Sequence, residues 1–179
     1  MVGGRAPKKV DADGLWAYSL KLLGGRAMST GEVRQKLVRR AEKEADIETT
    51  ISKLREYGYL NDTQFAESFA AGRRDNEGFG RMRVLRDLRQ RRVAPNLATE
   101  AVEQAFEGTD ETARIEAFLE RKYRNVNLGE LLQEDKKLHG AYRRLRYAGF
   151  SSGASIRVLK RFAAQAEQLE DEPEIEPEA

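Results

Sequence analysis

The chain has no cysteine, a single histidine and four prolines in 179 residues. Without thiols there is no disulfide framework, no cysteine nucleophile, and no thiolate to hold zinc or an iron–sulfur cluster. The lone His139 would have to anchor any imidazole metal site or serine relay by itself, and with Asp135 four residues before it, it reads as a surface pair. Long apolar runs are also missing: none approaches the roughly 18 residues of a membrane span. The opening MVGGRAPKKV has no apolar stretch after its charges, as a signal peptide would. These absences fit a soluble, cytoplasmic protein without cofactor or metal, and such a protein is the expectation. The glycine stretches Gly24-Gly25-Arg26 and Gly78-Phe79-Gly80-Arg81 lack the Lys-Ser/Thr of a phosphate-binding loop, and read as helix stops and turns.

Charge is abundant: 35% of residues are Asp, Glu, Lys or Arg, and mean hydropathy is −0.71. The core must therefore be thin and spread along amphipathic elements, as in an elongated helical body. The formal net charge of +2 conceals a segregation. Glu167 to Ala179 holds seven acids and no base, which leaves +9 on residues 1–166. Residues 136–166 contain no acid but eight bases: Lys136, Lys137, Arg143, Arg144, Arg146, Arg157, Lys160 and Arg161. A second concentration, Arg73 to Arg92, has eight arginines against Asp75, Glu77 and Asp87. Ordinary solvated helices intersperse acids to gain i,i+4 pairs, so an acid-free stretch of this length points to a polyanionic partner.

Apolar residues recur at helical spacing, which makes the chain all-α. Leu15, Tyr18 and Leu22 share a face that ends at Gly24-Gly25. Ser29-Thr30-Gly31-Glu32 is a capping box, with Met28 and Val33 placed as its hydrophobic staple. Val33 and Leu37 give the next seam, and Asp46 is expected to cap a third helix bearing Ile47, Ile51 and Leu54, stopped at Gly58.

The same pattern recurs. Leu37, Leu88 and Leu145 end the middle helices of three repeats, 51 and 57 residues apart. Each is followed after 17, 18 and 17 residues by Leu54, Phe106 and Phe162. In the second repeat Asn61/Asp62 cap a helix with Phe65, Ala66 and Phe69, Met82, Leu85 and Leu88 line the middle helix, and Pro95 starts the third. In the third, Asp110 and Glu111 open a helix, residues 124–134 are an insertion, and Leu138, Ala141, Tyr142 and Leu145 line the middle helix. Ile156, Leu159, Phe162 and Ala163 line the last. The expected organisation is a flexible basic N-terminus over 1–11, three-helix repeats over 12–60, 61–108 and 109–166 in a curved, elongated body, and a disordered acidic tail over 167–179. Each repeat needs its neighbours to bury its apolar face.

The candidate contacts for polyanion or acidic protein are Arg81, Arg83, Arg86 and Arg89 in the second repeat and the eight bases of residues 136–166 in the third. Most aromatics lie at core spacing beside Leu and Ala. Tyr142 and Tyr147, inside the basic stretch, stay open as stacking platforms for bases.

The run Arg26 to Leu37, then Leu54 with Gly58-Tyr59-Leu60-Asn61-Asp62 and Phe65-Ala66, then Gly80-Arg81-Met82-Arg83 leading to Asp87-Leu88, and Leu145-Arg146-Tyr147-Ala148-Gly149-Phe150 resembles the RecX family of bacterial regulatory proteins over about residues 15–162. The resemblance implies three tandem three-helix repeats, and the expectation is a non-enzymatic protein, monomeric on its own. It also implies a partner, the RecA recombinase filament on single-stranded DNA, which the protein binds and restrains. Three positions depart from the pattern: Ala41-Glu42 and Arg92-Val93 stand where Gly-aromatic is expected, and Asn61 replaces an Asp. Two other readings remain: a free-standing helical DNA-binding protein, which would bind naked DNA tightly and with a steep salt dependence, and a carboxylate-based nuclease, which would need a divalent metal.

Overall fold

The computed structural model describes residues 8–171, so the first seven residues and residues 172–179 of the expected tail lie outside the description, while residues 167–171 of that tail are ordered in a 3-10 helix. Ten α-helices follow one another: α1 (Ala12–Gly25), α2 (Thr30–Val38), α3 (Glu44–Glu56), α4 (Asp62–Asp75), α5 (Arg81–Gln90), α6 (Pro95–Ala105), α7 (Glu111–Lys122), α8 (Leu128–Leu131), α9 (Asp135–Tyr147) and α10 (Ser152–Leu159). A 3-10 helix, Ala164–Asp171, closes the described chain. No strand occurs among the described residues, only one isolated bridge between Val10 and Ala41. The fold is all-α and built from three-helix repeats, α1–α3, α4–α6 and α7 with α9 and α10, while α8 belongs to the insertion.

Local chemistry sets most boundaries. The Ser29 hydroxyl accepts from Glu32 N–H at 3.1 Å and a Glu32 carboxylate oxygen accepts from Ser29 N–H at 3.2 Å, which completes the capping box. Such a cap is worth about 1 kcal/mol. Asn61 accepts from Gln64 N–H at 3.0 Å, Asp110 from Thr112 N–H at 2.8 Å and Ser151 from Ala154 N–H at 3.3 Å. The third helix starts earlier than its sequence indicates: Lys43 is the N-cap and Asp46 lies inside the first turn, next to the positive end of the helix.

Two of the departures from the repeat pattern turn out differently. Three helices end in the same paired carbonyl capture by the next two amides, at Gly58-Tyr59, Arg92-Val93 and Gly149-Phe150. Tyr59 N–H reaches Leu54 O at 2.8 Å, Val93 N–H reaches Leu88 O at 3.2 Å and Phe150 N–H reaches Leu145 O at 3.1 Å. Gly58 and Gly149 take φ of +74° and +90°; Arg92 takes 59° in the same role, so the second repeat keeps the stop without glycine. At Ala41 the chain instead leaves α2 without a left-handed residue, and Val10 pairs with residues 40 and 42 there, at 2.8 and 3.0 Å.

The described residues group into two compact bodies. The first holds the residues up to Phe69 together with Asp87–Ala101, and the second holds Ala70–Arg86 with the residues from Val102 onward. The middle repeat is thus divided between them. In the first body Leu15, Val33, Leu37, Ile47, Ile51 and Leu54 are buried together. In the second, Ile115, Phe118, Leu119, Leu138, Leu145, Phe150 and Leu159 form the core, with Leu132 of the insertion and Leu169 of the 3-10 helix added to it.

A common joint appears once in each body. In the first, the start of α2 meets the end of α5: the Ser29 hydroxyl donates to Arg91 O, and Gly31 lies against Arg92. In the second, the start of α5 meets the end of α9: Gly80 N–H donates to Ala148 O at 2.7 Å and Met82 N–H to Gly149 O at 3.1 Å. The partners advance by 51 residues from Ser29 to Gly80 and by 57 from Arg91 to Ala148, the same steps as the leucines. Met82, expected in the core, is 62% exposed beside this joint, and Val84, Asp87 and Leu88 are the buried residues of α5. Helix α10 ends at Leu159, so Phe162 and Ala163 pack from the turn that follows it.

Candidate nucleic-acid interface

Helix α9 has two chemically distinct faces. Leu138, Ala141, Tyr142 and Leu145 are buried. On the opposite side Lys136, Gly140, Arg143 and Tyr147 succeed one another at four, three and four residues, flanked by Lys137 and Arg144. Gly140 leaves open space there, with nothing within 4 Å of where a Cβ would stand, and Tyr147 is 48% exposed. The face therefore combines cations, an unobstructed stretch of backbone at Gly140 and one aromatic ring. Tyr142 is core, as its place on the seam with Leu138 and Leu145 predicts, and not a stacking platform: it is 4% exposed and its hydroxyl shares a 2.8 Å hydrogen bond with Ser152 Oγ.

The bases singled out in the sequence divide by what their heads touch. Arg81 donates to Phe106 O at 2.8 Å and lies over the Phe106 ring; Arg83 lies over Phe79, 5.2 Å from its centroid. Arg86 donates to Tyr147 O at 3.4 Å and Arg146 to Phe150 O at 2.7 Å. Arg144 donates to the Tyr123 hydroxyl at 3.1 Å. Lys160 pairs with Glu167 at 2.7 Å, and Arg161 pairs with Glu116. These side chains brace the fold. Arg89, Lys136, Lys137, Arg143 and Arg157 are exposed, and their side chains make no hydrogen bond or ion pair to any described residue. Four of those five lie in the second body, three of them on α9; Arg89 lies in the first.

The hydrogen bond from Lys160 holds the Glu167 carboxyl below its ordinary range, so the first acid of the acidic segment is already engaged with one of the basic residues. Glu32 is a stronger case. Burial opposes its charge, but hydrogen bonds from Arg91, from Arg26 and from Ser29 N–H outweigh that and hold its carboxyl below the usual range. Arg91 donates to Glu32 at 2.8 Å and Arg26 at 3.0 Å, while Arg91 also lies over Phe65 and Phe69. This network was not legible from spacing, because Glu32 and Arg91 stand 59 residues apart.

The aromatic assignment also needs correcting at the α3 stop. Tyr57 is 66% and Tyr59 53% exposed, with both rings edge-on to Trp16 at 5.8 and 6.2 Å. The Tyr-Gly-Tyr sequence carried the signal, since a left-handed Gly58 turns both neighbours outward. Also in the first body, a hollow of about 870 Å³ is lined by Leu20, Leu23, Met28, Phe65 and Phe69, with Arg91 as its only charged side chain. Among the described residues no three His, Cys, Asp or Glu come together to hold a metal ion, and no helix is long and apolar enough to cross a membrane.

Comparison with known proteins gives a consistent result. The family model for the first three-helix domain of RecX matches residues 16–54, and that for the second three-helix domain matches residues 61–102. The regulatory protein RecX of Streptomyces coelicolor is 31% identical over 156 residues, covering 87% of this chain and 79% of that protein. The regulatory protein RecX of Vibrio parahaemolyticus is 29% identical over 133 residues, covering 74% and 81%. The crystal structure of RecX from Lactobacillus salivarius superposes with a TM-score of 0.62 at 19% identity, covering 84% of this chain and 96% of that one, a likeness of fold.

Proposed function

This chain belongs to the RecX family of regulatory proteins, and from that premise we propose that it acts by binding, without chemistry of its own, to a RecA recombinase filament on single-stranded DNA. There it restrains ATP hydrolysis, strand exchange or filament growth. The observation that carries the reading is the outward face of α9, where Lys136, Lys137 and Arg143 have no described partner and stand beside the exposed ring of Tyr147. Unengaged cations aligned on one helix attract a regular polyanion, and the repeats supply several weak contacts that act together along a periodic filament. A ligand that binds one filament state better than another shifts the filament toward that state and thereby alters turnover.

The test is RecA-catalysed, single-stranded-DNA-dependent ATP hydrolysis with this protein titrated in, and naked-DNA binding followed in parallel at two salt concentrations. Suppression at concentrations too low to coat free DNA is expected, and the Lys136→Glu/Arg143→Glu double variant should abolish it while keeping its helical content. Removing one cation from a phosphate should lower the salt slope by about one. Unchanged hydrolysis, together with strong and salt-sensitive binding to naked DNA, would replace the filament reading with that of a free-standing DNA-binding protein.

A further inference from the structure

The second body holds a concentration of arginine away from the α9 face. A pocket of about 330 Å³ is walled by Arg74, Arg114 and Arg121, with Asp75 at its edge and Ala117, Phe118 and Gly78 completing it. Three guanidinium groups against one carboxylate leave an excess of two positive charges. We propose that this pocket is a seat for a phosphate group, either a small phosphate such as a nucleotide's or a phosphodiester of a nucleic-acid backbone. The inference does not depend on the filament reading.

The guanidinium groups are held in place from behind. Arg114 donates to the carbonyls of Arg74 and Phe79 at 3.2 and 3.0 Å. Arg121 donates to Asn76 O at 3.3 Å and to Glu77 O. Arg74 spans both oxygens of Asp75, at 2.6 and 2.7 Å, and reaches Ala105 O with its remaining nitrogen. Arg114 thus holds a carbonyl of the last turn of α4, Arg121 two carbonyls just after it and Arg74 the last carbonyl of α6, so an arriving anion meets donors that need no further ordering.

Donor capacity is left over. Arg114 Nε is buried and donates to no described residue. Burial and the neighbouring Arg74 charge both push the Arg114 pKa down, since two like charges share one partly dry site, and an anion between them would relieve that repulsion. Gly78 shapes the wall: its φ is +69°, and a Cβ there would stand 2.6 Å from an Arg121 nitrogen, so only glycine lets this guanidinium lie on the turn. Several planar forks converging on one pocket suit the tetrahedrally disposed oxygens of a phosphate, whereas a flat carboxylate fills a single fork, as Asp75 does for Arg74.

Ala117 is the position for a test. It lines the pocket and is exposed, three residues from Arg114 and four from Arg121 on α7, so Ala117→Glu sets a carboxylate against the same guanidinium groups while all three arginines are kept. Ala117→Gln controls for size. Calorimetric titration of the full chain with inorganic phosphate, at ionic strength matched with chloride, should show binding that Ala117→Glu weakens by at least about tenfold and Ala117→Gln by far less. Arg121→Gln should weaken it as well, and Lys136→Glu/Arg143→Glu should leave it unchanged, which separates this site from the α9 face. Competition by a short oligothymidylate would assign the seat to a nucleic-acid backbone, and its absence would assign it to a small phosphate. The proposal is overturned if phosphate binds no better than chloride, or if wild type, Ala117→Glu and Ala117→Gln bind it equally.

Discussion

Replacing Gly31 by Ala tests the joint between repeats. A Cβ at Gly31 would stand 2.4 Å from Arg92 O and 2.6 Å from Arg92 Cβ. An ordinary carbon–oxygen contact is about 3.3–3.6 Å, so α2 and the end of α5 must separate by roughly 1 Å. The oxygen cannot swing aside, because Arg92 is held in its left-handed conformation by Val93 N–H on Leu88 O. Forced overpacking costs about 1–3 kcal/mol, and the helix-propensity gain of Ala over Gly, at most about 1 kcal/mol and smaller in a first turn, offsets part of it. The expected net loss is about 1–2 kcal/mol, a fall of roughly 2–8 °C in Tm for a chain of this size. Gly140→Ala is the counterpart: it lies inside α9 with open space at its Cβ, and should gain about 0.5–1 kcal/mol. Trp16 is the sole tryptophan and lies in the first body with Gly31, so its fluorescence in urea reports Gly31→Ala, and circular dichroism reports Gly140→Ala. Equal or greater stability of Gly31→Ala, or shifts of the same sign in both variants, would refute the steric argument.

Two further outcomes follow from the same structure. Because the Glu32 carboxyl is held below its ordinary range when folded, its stabilisation is complete above the unfolded carboxylate value of about 4.3 and fades as pH falls through the folded value. Glu32→Gln should therefore be less stable than wild type by about 1–3 kcal/mol at pH 7, and the gap should close in acid, as urea midpoints read by Trp16 at each pH will check; a gap independent of pH would contradict the assignment. Tyr142→Phe should cost about 1 kcal/mol by removing the bond to Ser152 and leave DNA and filament binding intact, whereas Tyr147→Ala should leave stability within about 0.5 kcal/mol and weaken binding, as thermal melts and filament titrations will show.

The sequence by itself determined the helices, the repeats and much of their punctuation. Those features are written in neighbours a few residues apart: the Ser29 to Glu32 capping box, the 3.6-residue seams through Leu37 and Leu145, and the left-handed stops at Gly58 and Gly149. Even the steps of 51 and 57 residues between repeats reappear as the steps between the two joints. What the tertiary structure alone decided is which charges remain available. A guanidinium's partner is often a carbonyl or a ring far along the chain, as Phe106 is for Arg81, Tyr147 for Arg86 and Phe79 for Arg114, and no local spacing encodes such a pairing. Burial made the same kind of choice between two tyrosines five residues apart: Tyr142 turns toward the core with Leu138 and Leu145, while Tyr147 stays on the open face with Lys136 and Arg143. Periodicity marks the two faces of a helix, but only packing fixes which cations on the outer one are consumed as braces and which are left for a partner.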